Sequence, residues 1–354
     1  HSEYHTVRIC NCAYVFLDRI RIFSRVVGNN DGLHFISAEH VHISNCDIRC
    51  QDDACALFGS CRFITVTNSY FSTRWSCFRF GGGIAEHIAV SNCIMYQVFG
   101  CPIKLRCEPG SRYENMNFSN LVFEDVCGPI SIGAGTQRPA KNSPTEPAIV
   151  RNISFNNISG NVLTKQMGLD DSTFNSSGNP GELHSCIILN CVKGNVIENI
   201  SFNNIKLTFG GGGTKQDAAR RELPLIANEY FSLGPLPAYG LYARNVIGLT
   251  LNDVRFETAT PDLRPAMILD YVTDVAITGF NVQGDEGAES VLRFIESQNV
   301  FMRAIRLLTP ANVFARVEGG KNENISIDGG DLSKAEKSFV FADGAKKNSV
   351  KLRV

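Results

Sequence analysis

The sequence predicts an all-β protein built as a single-stranded, right-handed parallel β-helix. The first observation is a repeat, because an alternating apolar segment ends in Asn at Asn45, Asn68 and Asn92. A period in the low twenties is typical of a solenoid in which each repeat forms one coil. The second observation is the length of 354 residues. One conventional core rarely extends over so long a chain, whereas each coil of a solenoid packs only against its neighbours.

Composition excludes several classes of partner. The net charge is −1, so nothing in the overall balance points to nucleic acid or to an anionic membrane. No apolar run reaches the ~18 residues that a spanning helix needs. The chain starts without a signal peptide and inside the repeat pattern, so we expect further N-terminal coils to be missing from it.

The 13 cysteines are interpreted as stacked thiols in the interior. Cys46 and Cys93 occupy the same position of the repeat, directly after the Asn, and a free Cys behaves as a small hydrophobic side chain. A disulfide framework is the alternative. Cys10 and Cys12 are separated by a single residue and no CxxC pair exists, so we expect no metal site and no cofactor.

The chain divides into regular coils and then into coils with insertions. We expect one β-helix domain over residues 1–354, with coils at 5–28, 29–54, 55–80 and 84–108. The repeat then lengthens, and three polar insertions, which in a solenoid collect as loops on one rim, fall at 133–147, 165–183 and 209–224. The pattern resumes over 237–256 and continues, more degenerate, through 266–332. Residues 333–354 are expected to cap the last coil, because an open parallel edge invites aggregation.

The repeated Asn has a structural role in this interpretation. We expect its amide to be buried at a coil corner, where it bonds to backbone groups and stacks on the Asn of the next coil. The marker returns at Asn120, Asn157 and Asn204. Most Asn-x-Ser sequons coincide with the ends of these strands, so we interpret them as part of the repeat and not as glycosylation signals.

Three aspartates in two successive repeats are the candidate catalytic residues. Asp31 is followed about one period later by Asp52 and Asp53, and stacked coils lie roughly 4.8 Å apart. We therefore expect the three side chains in one patch, where like charges raise at least one pKa. Paired carboxylates that divide into acid and base are what glycoside hydrolysis requires. Solvated turn residues and a calcium site are the alternatives.

Cationic and aromatic residues follow in the next two coils. They could bind an anionic sugar through its carboxylate and stack on its ring. The alternative is a ladder in which these cations offset the aspartates, with Trp75 in the core. His34 and the other strand histidines are expected to be exposed. The candidate substrate-binding residues are Arg74, Trp75, Arg79, Lys104 and Arg106.

These motifs resemble glycoside hydrolase family 28, the polygalacturonases. Residues 29–32 (Asn-Asn-Asp-Gly) resemble its Asn-Thr-Asp-Gly motif, residues 51–54 (Gln-Asp-Asp-Ala) its Gly-Asp-Asp motif, and residues 102–104 (Pro-Ile-Lys) its Arg-Ile-Lys motif. Residues 237–242 and 262–266 are similar to a bacterial branch of the family. The resemblance covers about residues 15–285, and it implies the pectin-lyase-like solenoid.

The resemblance also implies an activity and roles. It implies an inverting glycoside hydrolase that acts on a uronic-acid-containing, pectin-type glycan. Asp52 would be the general acid, Asp31 and Asp53 would activate water, and Lys104 would bind the carboxylate of the sugar.

Two positions depart from the family pattern. The histidine of the family's Gly-His-Gly motif would fall near Arg74 and Trp75, and the Arg of Arg-Ile-Lys is Pro102. Arg74, Arg79 or Arg106 would then replace them for a different substrate.

We favour an exo-acting or side-chain-specific glycosidase whose rim insertions close the groove into a pocket. A catalytically inactive carbohydrate-binding β-helix and a calcium-assisted polysaccharide lyase stay open as alternatives. We expect a carbohydrate partner and an extracytoplasmic location, secreted or periplasmic, and the oligomeric state is left open.

Overall fold

The chain winds into a solenoid of parallel strands. A computed structural model describes residues 4–138, 146–169 and 178–353. These residues form 25 strands and about 13 turns, which confirms the predicted parallel β-helix. In chain order the strands are β1 (Val7–Asp18), β2 (Arg21–Ser24), β3 (Leu33–Ser44), β4 (Asp47–Cys50), β5 (Cys55–Phe58), β6 (Cys61–Thr67), β7 (Tyr70–Thr73), β8 (Ser76–Gly81), β9 (Ile84–Val98), β10 (Cys101–Cys107), β11 (Arg112–Val126), β12 (Ile130–Ala134), β13 (Ile149–Val162), β14 (Ile187–Cys191), β15 (Val196–Phe209), β16 (Leu241–Arg244), β17 (Ile247–Thr258), β18 (Met267–Asp270), β19 (Thr273–Val282), β20 (Leu292–Ile295), β21 (Gln298–Leu307), β22 (Ala311–Glu318), β23 (Glu323–Asp331), β24 (Ala335–Ala342) and β25 (Val350–Arg353).

Three sheet faces surround the core. The first sheet runs through β5, β8, β10, β12 and the later short strands up to β24. The second sheet contains β6 and the first parts of the long strands β9 and β11. The third contains β2, β4 and β7 and continues into the second part of β9. The chain passes from the third sheet back to the first through a corner, which carries the candidate aspartates.

The Asn corners form a ladder on the outside of the solenoid. Asn92, Asn120, Asn157 and Asn204 all have positive φ angles, near 52–55°, which Asn tolerates better than most residues. Their amides bond from coil to coil, with N···O distances of 3.0, 2.9 and 2.9 Å. The prediction that these amides are buried was wrong, since all four are exposed. Asn120 and Asn157 each use one donor and one acceptor in the ladder, and an exposed amide avoids the cost of burying its remaining hydrogen-bonding sites.

The interior is filled by apolar side chains at equivalent positions of successive coils. Phe118, Phe155 and Phe202 stack with ring centroids 5.3 and 5.0 Å apart. All 13 cysteines are free thiols, and eleven of them are buried. Burial raises the pKa of Cys93 to about 11, as expected for a thiol in apolar surroundings.

The rim insertions interrupt the coils, and the strands on either side keep their register except for one shift between Phe123 and Val126, where β11 pairs with β13. Residues 139–145 and 170–177, within the first two predicted insertions, lie outside the described residues. The third was predicted to end at residue 224, but the chain between β15 and β16 contains no strand. Prolines at 224, 235 and 237 lack the N–H that a ladder needs. This segment instead contains the short helices α1 (Lys215–Ala219) and α2 (Tyr230–Leu233).

The predicted cap region contains β24 and β25, which pair in parallel with β22 and β23 and extend the solenoid by one further coil. Residue 354 lies outside the described residues. In the part of the chain that the structure describes, no helix is long and apolar enough to cross a bilayer.

Candidate active site

The turn that carries Asp31 is held by the buried side chain of Asn30. Its Oδ1 accepts hydrogen bonds from the backbone N–H groups of Val26 and Val27, at 3.2 and 3.1 Å. Its Nδ2 donates to the carbonyl oxygen of Tyr4 in the preceding coil, at 3.1 Å. Because one amide satisfies three backbone groups, it fixes the turn and with it the direction of Asp31.

The next coil lies directly on that turn. The backbone N–H of Asp52 donates to the carbonyl of Asn30, and the N–H of Gly32 donates to the carbonyl of Asp53, both at 3.0 Å. A Cβ at Gly32 would lie 2.7 Å from the backbone oxygen of Ala54, so only glycine allows this approach. We call the two stacked turns, residues 29–32 and 51–54, the acid corner.

The structure brings the three predicted aspartates together at the acid corner. Asp31 and Asp53 are buried, and Asp52 is half-buried. Burial, together with the charges of Asp53 and Asp31, raises the pKa of Asp52 to about 8. Burial also raises the pKa of Asp53, while Lys104 and Arg79 favour its charged form. The site therefore holds a carboxyl group in its protonated form at neutral pH.

Hydrogen bonds distinguish the two neighbouring carboxyl groups. Asp52 Oδ1 accepts from the backbone N–H of Asp53 at 2.9 Å. Asp53 Oδ1 accepts from the backbone N–H of Ser76, one coil further on, at 3.1 Å. The two groups lose their protons in coupled steps. We assign the retained proton to Asp52, because Asp53 is the one that Lys104 and Arg79 chiefly favour in its charged form.

Two histidines support Asp31. Its Oδ2 lies 2.6 Å from Nδ1 of His34 and 3.7 Å from Nε2 of His5. The prediction that His34 is an exposed strand residue was wrong, since only 9% of it is exposed. The ring turns back onto Asp31 and is enclosed between His5, with centroids 3.8 Å apart, and Phe58, at 5.3 Å. Burial lowers the pKa of His5, which favours its neutral form.

His5, Asp31 and His34 form the only group of three or more His, Cys, Asp or Glu side chains within the described residues that lie close enough together to hold a metal ion. The ligand atoms of His5, Asp31 and His34 lie within 4.8 Å of one another. The two rings are 9° from parallel, and a metal binds in the plane of each imidazole, so a stacked pair is poorly placed to share one ion. Calcium prefers a shell of oxygen ligands, and this group offers one carboxylate. The geometry fits hydrogen-bonded support of Asp31 better than metal binding.

Arg74 is turned into the protein and is paired there. Its side chain and that of Glu182 are both buried and form an ion pair. The guanidinium also lies 5.2 Å from the ring centroid of Phe99. Trp75 is half-buried, and its ring packs at a steep angle against Phe231, with ring centroids 5.6 Å apart. Two residues from the rim segments, Glu182 and Phe231, thus pack against Arg74 and Trp75, one coil beyond Asp52 and Asp53.

Lys104 and Arg106 share a second loop glutamate. Lys104 Nζ lies 3.0 Å from Glu229 Oε1, and Arg106 Nη2 lies 3.4 Å from Oε2. Lys104 also lies 5.8 Å from the ring centroid of Trp75. Burial opposes the charge of Glu229, but Arg106 and Lys104 outweigh burial and hold its pKa well below the usual range. The predicted ladder of cations and aspartates is therefore replaced, at these positions, by pairs between cations and loop glutamates.

Arg79 is the remaining cation of the predicted set. It lies beside Lys104 in the adjacent strand of the first sheet and is half-buried. One of its N–H groups donates to the carbonyl oxygen of Phe80, and the guanidinium lies 5.4 Å from the ring centroid of Phe58. Among the described residues it forms no ion pair.

Several residues at the site were not predicted. Glu182 and Glu229 lie on rim segments that have no repeat, so no spacing rule connects them to Arg74 or Lys104. His5 could have been found, because it precedes Asp31 by about one repeat and the N–H of Thr6 donates to the carbonyl of Asp31.

A family model described as glycosyl hydrolases family 28 matches residues 1–222. The matched segment contains the acid corner, the neighbouring cations and Glu182, and it ends before Glu229. Comparison with curated proteins and with solved structures gave no match.

Proposed function

The chain belongs to glycosyl hydrolases family 28, and on that premise we propose that it is an inverting hydrolase of a uronic-acid-containing, pectin-type glycan. The observation that carries this proposal is the acid corner, where three carboxyl groups meet on two stacked turns and burial raises the pKa of Asp52 to about 8. A carboxyl group that keeps its proton at neutral pH, next to others that are charged, supplies the acid and the base of glycoside hydrolysis.

The proposed reaction uses the three groups in distinct roles. Asp52 donates its proton to the glycosidic oxygen of the leaving sugar as the bond to the anomeric carbon breaks. A water molecule attacks that carbon from the opposite face and gives its proton to Asp53 or Asp31. His34, 2.6 Å from Asp31, holds that carboxylate in position. The anomeric configuration is inverted because a single displacement occurs.

Cations beside the acid corner support an anionic substrate. Arg79, Lys104 and Arg106 lie on neighbouring strands of the first sheet, and guanidinium and ammonium groups bind carboxylates through charge-assisted hydrogen bonds. Glu229 offsets part of this charge.

Asp52→Asn tests the proposal directly. We expect the release of reducing ends from pectic oligosaccharides to fall at least about a hundredfold, because general acid catalysis typically contributes factors of this size. Asp253→Asn is a matched control, since Asp253 is exposed and occupies a corner position that other coils fill with Asn. An unchanged rate in Asp52→Asn would reject the proposal.

Three further measurements separate the alternatives. Lyase products absorb in the ultraviolet, so absorbing products would replace the hydrolase by a lyase. Binding without turnover at any pH would select a carbohydrate-binding β-helix instead. NMR of the first-formed anomer decides between inversion and retention.

A further inference from the structure

The carboxylate of Glu229 occupies the place where a substrate carboxylate would meet Lys104 and Arg106. Its two oxygens lie 3.0 and 3.4 Å from those cations, one oxygen to each. Glu229 is 6% exposed, Lys104 5% and Arg106 1%, so little water screens the three charges. A second carboxylate brought to Lys104 would lie against the first, and like charges at such a site repel strongly.

Glu229 is held there by the packing of α2. It is the residue directly before this helix, and the hydroxyl of the buried Tyr230 donates to the carbonyl oxygen of Phe99 at 2.5 Å. Phe231 packs edge-on against Trp75. Two consecutive aromatic residues therefore anchor the segment beside the acid corner, and Glu229 is not a mobile surface side chain that a ligand could easily displace.

Arg79 differs from the other candidate cations. Arg74 is paired with Glu182, and Lys104 and Arg106 with Glu229. Arg79 forms no ion pair with any residue that the structure describes, although its charge acts on both Asp53 and Glu229. Its half-buried guanidinium is therefore the cation with capacity left for a ligand.

We infer that Glu229 determines substrate specificity, because it excludes a uronate carboxylate from Lys104. The subsite at Lys104 therefore takes a neutral sugar. Arg79 binds a uronate carboxylate at the neighbouring subsite. This inference rests on the proposed function, because it assigns subsites to the same groove. It selects a glycan in which neutral and acidic sugars are both present over a uniform polyuronate. Glu229 lies beyond the segment that the family model matches.

The experiment measures binding without turnover. In an Asp52→Asn background, calorimetry compares oligogalacturonides with oligosaccharides of the same length in which galacturonic acid alternates with a neutral sugar. We expect the alternating ligand to bind at least tenfold more tightly. Adding Glu229→Gln should shift the ratio at least tenfold toward the oligogalacturonide. Adding Arg79→Gln should weaken both ligands about tenfold and leave their ratio unchanged.

A second variant tests the same inference if Glu229→Gln does not fold. Glu229→Gln combined with Arg106→Met removes one charge of each sign, so the local balance is that of the original protein while Lys104 becomes available. The same shift in ratio is expected. An unchanged ratio in the folded variants, a preference of the parent for oligogalacturonides, or no binding of either ligand would overturn the inference.

The inference and the proposed function fail in different ways. If Asp52→Asn abolishes hydrolysis but Glu229→Gln leaves the binding ratio unchanged, only the assignment of subsites is wrong. If the protein hydrolyses none of the ligands but the ratio shifts as expected, the assignment of subsites stands and the proposed reaction is wrong.

Discussion

Asp52 at the acid corner and Glu229 on a rim segment are both withdrawn from water, yet their pKa values shift in opposite directions. At the acid corner, burial and the facing charges of Asp53 and Asp31 raise the pKa of Asp52 to about 8. On the rim, burial likewise opposes the charge of Glu229, but Arg106 and Lys104 lower its pKa well below the usual range.

The difference shows that burial alone does not decide the charge of these groups. Both carboxyl groups lose water, and the neighbour that replaces the water sets the outcome. The aspartates lie on the repeating coils, where stacking forces them to face one another. The glutamates lie on rim segments, which bring them to cations. Four measurements test this difference.

The largest effect is expected for Glu182→Gln. It removes the charge that pairs with the buried guanidinium of Arg74, and breaking a buried pair costs about 3–5 kcal/mol in the free energy of unfolding. Denaturant titration at pH 7 measures the change. Glu124→Gln, on an exposed position of β11, is the control and should stay within about 0.5 kcal/mol. A cost below about 1 kcal/mol for Glu182→Gln would show that the rim pair is not needed.

Asp52→Asn should raise the free energy of unfolding at neutral pH, whereas Glu182→Gln lowers it, and the size of the increase should depend on pH. Because the folded pKa of Asp52 is raised, its contribution to stability is complete below the unfolded value near 4 and is lost as pH rises toward 8. Water screens the half-buried group, so we expect a loss on the order of 2 kcal/mol between pH 5 and 8. The Asn variant should not show this loss. Parallel stability curves for the two proteins would contradict the raised pKa.

The third effect concerns activity at alkaline pH. If Asp52 is the general acid, kcat/KM should fall above about pH 8, where it loses its proton. The slope should approach tenfold per pH unit, or about 1.4 kcal/mol. A rate that already falls near pH 5 would show that Asp52 has an ordinary pKa in the free enzyme.

The smallest effect is expected at the corner ladder, whose hydrogen bonds involve none of these carboxyl groups. Asn157→Gly keeps the positive φ angle but removes two exposed amide hydrogen bonds, at a cost of about 0.5–1 kcal/mol. Asn157→Ala should cost about 1 kcal/mol more, because alanine is strained at this φ. Neither variant should alter the pH dependence of stability, and a change there would mean that the two regions are coupled.

The repeating part of the molecule was predictable from sequence, and the rim was not. A period in the low twenties is enough to place Asp31 and Asp52 on stacked turns, because register follows from the coil. The pair between Arg74 and Glu182 joins residues 108 positions apart through a segment without a repeat. His34 is buried because His5 and Phe58 of the adjacent coils stack on its ring, and alternation along one strand says nothing about such contacts.

The corner ladder shows how separate these two parts are. Asn120, Asn157 and Asn204 are bonded in sequence from coil to coil, although the intervals between them contain long excursions, and the strands around them pair without a shift at the ladder. The length of the insertions between the strands therefore does not affect how the coils stack at the Asn ladder. Replacing residues 210–240 by a different segment would remove Glu229 from Lys104 and Phe231 from Trp75. It would leave the backbone hydrogen bonds that stack the turns of Asp31, Asp52 and Asp53, so ligand preference in this architecture can be diversified apart from the reaction centre.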